Sequence, residues 1–106
     1  MKLTEADVTA QIKGWLLAKG WQPFRLQSGV VRGVTREAFI TLNPAGTPDW
    51  FYVRGATVLF VEMKRPGKKL HEAQENWFRL AEMRGTPAIW ADSLEMFTEK
   101  YEALVR

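Results

Sequence analysis

The most informative part of the sequence is residues 46–64, which read GTPDWFYVRGATVLFVEMK. Two apolar runs, Trp50 to Val53 and Thr57 to Lys64, flank a turn at Arg54-Gly55. The second run is apolar at both alternating sets of positions, which is typical of a central strand covered on both faces. It ends in Glu62-Met63-Lys64, so a carboxylate and an ammonium project from one face. These residues predict a hairpin with charged groups at the end of its inner strand.

Asp49 begins the first strand of this hairpin, directly after the rigid Thr47-Pro48 turn. A short hairpin would bring Asp49 beside Glu62, and two adjacent carboxylates repel unless a cation lies between them. Such a pair is typical of a Mg²⁺ site, at which Lys64 would position a water or neutralise charge developing on a phosphorane. The pattern favours phosphodiester hydrolysis. Ordinary roles remain as alternatives: a turn residue for Asp49 and a surface ion pair for Glu62 and Lys64.

The segment before the hairpin is predicted to hold one helix and two extended runs. The helix begins at the capping residue Thr4 and ends near Lys19. Its predicted core positions are Val8, Ile12, Trp15 and Leu16. Pro23 to Leu26 and Phe39 to Leu42 are predicted to be extended, as a hairpin with a basic tip.

The segment after the hairpin predicts helix, strand and helix. A helix spans His71 to Arg84, with Ala73, Trp77, Leu80 and Ala81 along one side, and a short strand spans Ala88 to Trp90. Asp92-Ser93-Leu94-Glu95 resembles a capping box and opens the final helix. The buried stripe of that helix is predicted to be Leu94, Phe97, Tyr101 and Leu104. We expect one α/β domain over residues 1–106, with a central mixed β-sheet flanked by helices.

The composition narrows the chemistry. The 106 residues include no cysteine and one histidine, His71, which excludes thiolate sites and favours oxygen-bound Mg²⁺ or Mn²⁺. A lone histidine at a helix start is expected to be a capping or surface residue. The formal charge of +3 is compatible with a polyanionic partner, and the acidic residues gather near the C-terminus. With no apolar run long enough for a membrane span and no signal-like start, we expect a soluble, cytoplasmic protein.

The sequence also resembles a known family. Gly46-Thr47-Pro48-Asp49, then Glu62-Met63-Lys64, then Leu70 and Gln74 ahead of Trp77 match the pattern of the virus-type replication-repair nuclease (VRR-NUC) domain. That family belongs to the PD-(D/E)XK nuclease superfamily, and its stand-alone phage and bacterial members are of this size. The resemblance runs from about Glu5 to Gly85. It implies a PD-(D/E)XK core, similar to that of restriction endonucleases.

The resemblance implies a role for each matching residue. Asp49 and Glu62 would be metal ligands together with the Met63 backbone carbonyl, and Lys64 would be the catalytic lysine. Gln74 would support the site. Glu5 would complete the acidic cluster, directly, through water or with a second metal. The family's members are structure-specific nucleases similar to dimeric junction resolvases, which implies Mg²⁺, with Mn²⁺ as a substitute, and a homodimer that cuts branched DNA such as Holliday junctions.

Several alternatives stay open. Taken alone, Glu5 is typical of an acid in a first helical turn, and Gln74 of a solvated helix residue. The basic residues Arg32, Arg36, Arg65, Lys68 and Lys69 are expected to contact phosphates, or else to form a solvated basic face. Trp21 and Trp50 are expected to pack in the core, with base stacking as the alternative. The competing functions are a non-catalytic nucleic-acid-binding module with the same fold and a sequence-specific restriction-type endonuclease.

Overall fold

The computed structural model describes residues 2–26 and 45–105, and these contain three helices and four strands. Along the chain they are α1 (Glu5–Ala18), β1 (Gln22–Arg25), β2 (Trp50–Arg54), β3 (Thr57–Met63), α2 (Glu72–Arg84), β4 (Ala88–Ala91) and α3 (Leu94–Leu104). The predicted helices and strands within the described residues are present, with small differences at their ends. The predicted run Phe39 to Leu42, and Arg32 and Arg36, lie outside the described residues.

The four strands form a mixed sheet in the order β1-β2-β3-β4. β2 is antiparallel to both of its neighbours, β1 and β3, whereas β3 and β4 are parallel. Parallel strands need a connection that returns the chain to the starting end of the sheet, and α2 lies within that connection. The predicted mixed sheet and the inner position of β3 are therefore confirmed.

Side chains next to the helix starts cap all three helices. Thr4 Oγ1 accepts from the Asp7 N–H at 3.1 Å, and Asp7 Oδ2 accepts from the Thr4 N–H at 2.8 Å. Ser93 Oγ accepts from the Met96 N–H at 3.1 Å. The cap of α3 is thus Ser93, one residue later than the predicted capping box at Asp92. None of the described helices is long and apolar enough to cross a membrane.

The hydrophobic core lies between one face of the sheet and helices α1 and α3. Its fully buried helix residues include Val8, Ile12 and Leu16 of α1 and Phe97 of α3. The sheet contributes Tyr52, Leu59, Val61 and Met63. These positions alternate along β2 and β3, so the period of two predicted for the strands decides which side chains are buried.

The opposite face of the sheet carries a row of aromatic rings. Phe24 stacks on Phe51 with ring centroids 5.1 Å apart. Phe60 lies 6.2 Å from Phe51 and 5.2 Å from Trp77 of α2. Val58, two residues before Phe60, is 38% exposed. The prediction that β3 is covered on both faces is wrong at Val58, because the described part of the chain covers this end of the face less than the end near α2.

Candidate active site

The hairpin of β2 and β3 places Asp49 directly opposite Glu62. Trp50 pairs with Val61 in the antiparallel register, and one further step pairs Asp49 with Glu62. The Asp49 N–H donates to Glu62 Oε1 at 3.3 Å, which holds the Glu62 carboxylate against the start of β2. Pro48, immediately before, is fully buried and fixes the approach of the chain. The predicted juxtaposition of the two acids is therefore present.

Glu62 is buried with only 3% of its surface exposed, although it is ionisable. Burial raises the pKa of its carboxyl to about 7, and the negative charges of Asp49 and, more weakly, Glu5 act in the same direction. The ammonium of Lys64 and the Asp49 N–H oppose this rise. The positive charge around the two carboxyls is thus too small to keep the pKa of Glu62 in the usual range of a glutamate. A divalent cation would supply that charge.

Lys64 follows β3 and is also buried, at 7% exposed. The backbone N–H of Lys64 donates to the carbonyl of Ala91 at 2.9 Å, which extends the parallel pairing with β4 beyond the end of β3. It lies two positions after Glu62 along the chain, so both side chains project from the same face. The structure therefore brings together Asp49, Glu62 and Lys64.

Glu5 lies at the first position of α1 and is exposed. It lines the same cleft as Asp49, and its charge contributes to the raised pKa of Glu62. Within residues 2–26 and 45–105, however, no three His, Cys, Asp or Glu side chains are close enough to form a metal-binding group. Glu5 is thus near the acid pair without joining it in a three-acid cluster.

The Met63 carbonyl is placed by the sheet at the same edge. The N–H groups of Phe60 and Lys64 donate to the chain around β4, so the backbone groups of Met63, between them, face the β2 side. Continuing the β2–β3 register places Met63 opposite Pro48. Proline has no N–H, so this residue donates no hydrogen bond to the Met63 carbonyl. Its binding of a metal ion stays a prediction.

Gln74 is buried in the first turn of α2, and its side chain caps the helix. Its Oε1 accepts from the His71 N–H at 3.1 Å, while His71 Nδ1 accepts from the Gln74 N–H at 3.4 Å. The capping role expected for His71 is confirmed, and the solvated alternative for Gln74 is wrong because its side chain is buried. A direct contribution of Gln74 to the chemistry stays a prediction.

The turn before Asp49 packs against this same helix start. Gly46 has φ of +87°, and a Cβ atom added there would lie 2.1 Å from the Ala73 carbonyl oxygen and 2.8 Å from the Gln74 nitrogen. Only glycine allows such a close approach with a positive φ. The start of α2 therefore packs through its backbone against the turn that leads to Asp49.

The basic loop after β3 is exposed. Arg65, Lys68 and Lys69 lie in it, and the Gly67 N–H anchors it by donating to Asp92 Oδ2 at 2.9 Å. Their contact with phosphates stays a prediction.

A cleft of about 340 Å³ opens between α1 and the sheet beside Asp49, and we call it the α1 cleft. Lys13, Arg25 and Trp50 line it together with Glu5 and Asp49. Sequence reasoning did not select Lys13 or Arg25 as functional. The available signal was weak: Lys13 follows Glu5 by two helical repeats of four residues, which places both on one side of α1.

Comparisons with known proteins support the fold. No protein-family model matches the chain, and no curated protein matches it. Among solved structures, the chain is similar to one described as a VRR_NUC domain protein, with a TM-score of 0.62 and 19% sequence identity. The match covers 99% of this chain and 90% of the other. The predicted fold class is confirmed: the chain has the fold of a VRR_NUC domain protein, a mixed sheet flanked by helices.

Proposed function

We propose that this protein is a metal-dependent endonuclease that hydrolyses phosphodiester bonds in DNA, with residues 1–106 acting as one nuclease domain. The observation that carries the proposal is the acid pair itself: a buried Glu62 lies opposite Asp49, with the buried Lys64 on the same face. A structural role alone would favour apolar residues at these buried positions. The similarity in fold to a VRR_NUC domain protein supports the same function.

The residues present fit a Mg²⁺ ion, with Mn²⁺ as a substitute. Mg²⁺ in phosphoryl-transfer sites is commonly held by one or two carboxylates, with waters and substrate phosphate completing its shell. Asp49 and Glu62 would provide the carboxylates, and the Met63 carbonyl a third oxygen. Glu5 would act through a water or a second ion. When bound, the ion supplies Lewis acidity toward the phosphate and lowers the pKa of a bound water.

The other residues position the reacting groups. The Lys64 ammonium donates hydrogen bonds to the attacking water or to a phosphate oxygen that gains charge in the transition state. Because Lys64 is buried and its backbone is held by Ala91, it is oriented before the substrate arrives. Gln74 supports the turn to Asp49, and Arg65, Lys68 and Lys69 contact flanking phosphates. Arg32 and Arg36 complete this proposed basic set.

The proposed substrate is branched DNA, such as a four-way junction, cut by a homodimer during replication, repair or recombination. Its basis is the resemblance of the motifs to stand-alone VRR-NUC nucleases. Two sites related by a twofold axis would nick two symmetric strands of one junction. Light scattering is expected to give twice the chain mass of 12.2 kDa. A monomeric mass at working concentration would contradict the dimer.

A second candidate is a non-catalytic nucleic-acid-binding module with the same fold. It is favoured by one observation, that the described residues contain no group of three potential metal-binding side chains. It does not explain why two carboxylates face each other where phosphate would bind.

Cleavage of labelled four-way junction, flap, single-stranded and linear duplex DNA tests the proposal. Each substrate is incubated with Mg²⁺, Mn²⁺ or EDTA, using the wild type, Asp49→Ala, Lys64→Ala and the exposed control Glu99→Ala. We expect metal-dependent cutting that falls by about 100-fold or more in the two site variants and is unchanged in the control. Binding without cutting under either metal would overturn the nuclease and support the second candidate.

A further inference from the structure

The α1 cleft is lined by acidic, basic and aromatic side chains. Its acidic residues are Glu5 and Asp49, and Asp49 is a member of the acid pair. Lys13 and Arg25 lie around the ring of Trp50. Glu5 and Lys13 are eight positions apart on α1, which corresponds to about 12 Å along the helix axis. The cleft therefore holds positive charges beside Asp49 of the proposed cutting site, because Trp50 directly follows Asp49 in the chain.

Two cations converge on the Trp50 ring from different elements. Lys13 Nζ, from α1, lies 5.4 Å from the ring centroid. Arg25 Cζ, from β1, lies 5.6 Å from it. Arg25 is placed there by the sheet, because it pairs with Trp50 in the β1–β2 register. Two positive groups thus lie beside one ring, although like charges repel.

Neither cation is neutralised by the described part of the chain. Within residues 2–26 and 45–105, Lys13 and Arg25 form no ion pair with a carboxylate. The other tryptophan–cation contacts differ. Trp15, Trp21 and Trp90 each have a single cation, which is Lys19, Arg54 and Lys100 respectively. Arg54 also donates to the Lys19 carbonyl. Among the described rings, two unpaired cations are found only at Trp50.

We propose that Lys13 and Arg25, spaced by Trp50, form a binding subsite for the sugar–phosphate backbone of the substrate strand. The subsite would hold a phosphate close to the one that is cut, since Trp50 directly follows Asp49 and Arg25 pairs with Trp50 across the sheet. The cleft volume of about 340 Å³ lies within the range of about 300–1,000 Å³ for ligand sites. This inference rests on the proposed function, because it assigns the strand path to the same site.

Binding measurements separate this subsite from a general effect of charge. The test variant is Lys13→Ala with Arg25→Ala, and the matched control is Lys19→Ala with Arg54→Ala. Each double variant removes two positive charges that lie over tryptophan rings. The affinity for a labelled single-stranded oligonucleotide is measured over a range of salt concentrations, with EDTA and in parallel with Ca²⁺.

We expect the test variant to bind about tenfold more weakly or worse, with the slope of log affinity against log salt reduced by about 2. The control should bind as the wild type does. Lys13→Arg with Arg25→Lys keeps both charges and should retain affinity. Thermal melting of every variant checks that the fold is kept.

The outcome is independent of whether the wild type cuts DNA. The subsite would be overturned by an equal loss of affinity in the test and control variants, or by no loss of affinity in either. It would also be overturned if the wild type bound no oligonucleotide under both conditions. If the subsite were overturned in this way but the wild type still cut DNA, the proposed nuclease function would remain supported. A loss confined to the test variant in a wild type that never cuts would support the subsite and overturn the nuclease.

Discussion

Glu62 is the residue at which fold and proposed function conflict. It occupies an inner strand between the apolar residues Val61 and Met63, and its carboxyl accepts from the Asp49 backbone N–H while the Asp49 charge repels it. An apolar side chain would be buried there without desolvating a charge. The carboxyl is therefore expected to lower the stability of the metal-free protein at neutral pH. This loss of stability arises from the position of Glu62 in the candidate site.

The pH dependence of stability should reveal this cost. The pKa of Glu62 is raised from 4.5 to about 7 by folding, so the folded state holds the proton more tightly. Its stabilising effect is full below pH 4.5 and is lost as the pH rises through about 7. With EDTA present, Glu62→Gln should therefore be more stable than the wild type at pH 8, by about 1 to 3 kcal/mol.

Urea unfolding at pH 4.5 and pH 8 measures this difference. At pH 4.5 the two proteins should be close in stability, because Glu62 is then largely protonated. The exposed Glu99→Gln serves as the control and should show no such change. Equal stabilities of Glu62→Gln and the wild type at pH 8 would contradict the burial of an unfavourable charge.

At the scale of elements, the turn before β2 and the start of α2 form one unit. Gly46 contacts the backbone of Ala73 and Gln74, and the His71–Gln74 cap holds that backbone in place. The position of Asp49 thus depends on a helix that lies after it in the chain. A change in this contact should reach the site without altering any proposed ligand.

Gly46→Ala should destabilise the protein by about 2 to 4 kcal/mol. The added methyl group is strained at φ of +87° and clashes with the Ala73 carbonyl. Gly67→Ala is the matched control, since Gly67 has φ of +85° and nothing within 4 Å of an added Cβ. Denaturant unfolding of both should show the larger loss at Gly46; similar losses would mean that the contact adds nothing to the backbone strain.

The elements themselves were largely predictable because their signals are local. Thr4 and Gly85 lie within one turn of the helix ends that they mark, and the Arg54-Gly55 turn separates two apolar runs. The exposure of individual apolar residues was not predictable. Leu80 and Leu104 are 39% and 44% exposed, although their spacing predicted burial. Periodicity shows which side of a helix packs, while the extent of coverage depends on the neighbouring elements.

The residues of the candidate site likewise include some that could be predicted from the sequence and some that could not. Asp49, Glu62 and Lys64 were predictable because they belong to one hairpin and its continuation. The convergence of Lys13 and Arg25 on Trp50 was not, because it requires β1 to pair with β2 and α1 to pack across both. No short-range pattern specifies that order of strands.

At the scale of the whole molecule, a hydrogen bond joins the N-terminal and C-terminal parts of the described chain. Trp21 Nε1 donates to the Tyr101 hydroxyl at 3.2 Å, across 80 positions. Trp21 is buried, which confirms its expected packing. Trp15 adds an edge contact to the ring of Tyr101, with centroids 5.0 Å apart. This cluster holds α1, the start of β1 and α3 together.

Tyr101→Phe should lower the free energy of unfolding by about 1 to 3 kcal/mol, since it leaves the buried Trp21 N–H without its acceptor. Tyr52→Phe is the matched comparison. The Tyr52 hydroxyl is fully buried, has no hydrogen-bond partner among the described residues, and has its pKa raised to about 12 by burial. Its removal should be neutral or stabilising. Urea unfolding at pH 7 should separate the two, and equal losses would contradict the assigned hydrogen bonding.

The hairpin that carries Asp49 and Glu62 also has a consequence for the order of assembly. The two acids are 13 positions apart, so they meet as soon as one short loop closes. Lys13 and Arg25 reach the α1 cleft only after α1 and β1 have docked on that hairpin. On partial unfolding, we therefore expect the cations to separate from the acids before the acids separate from each other, so that the proposed strand subsite is lost before the proposed metal ligands come apart.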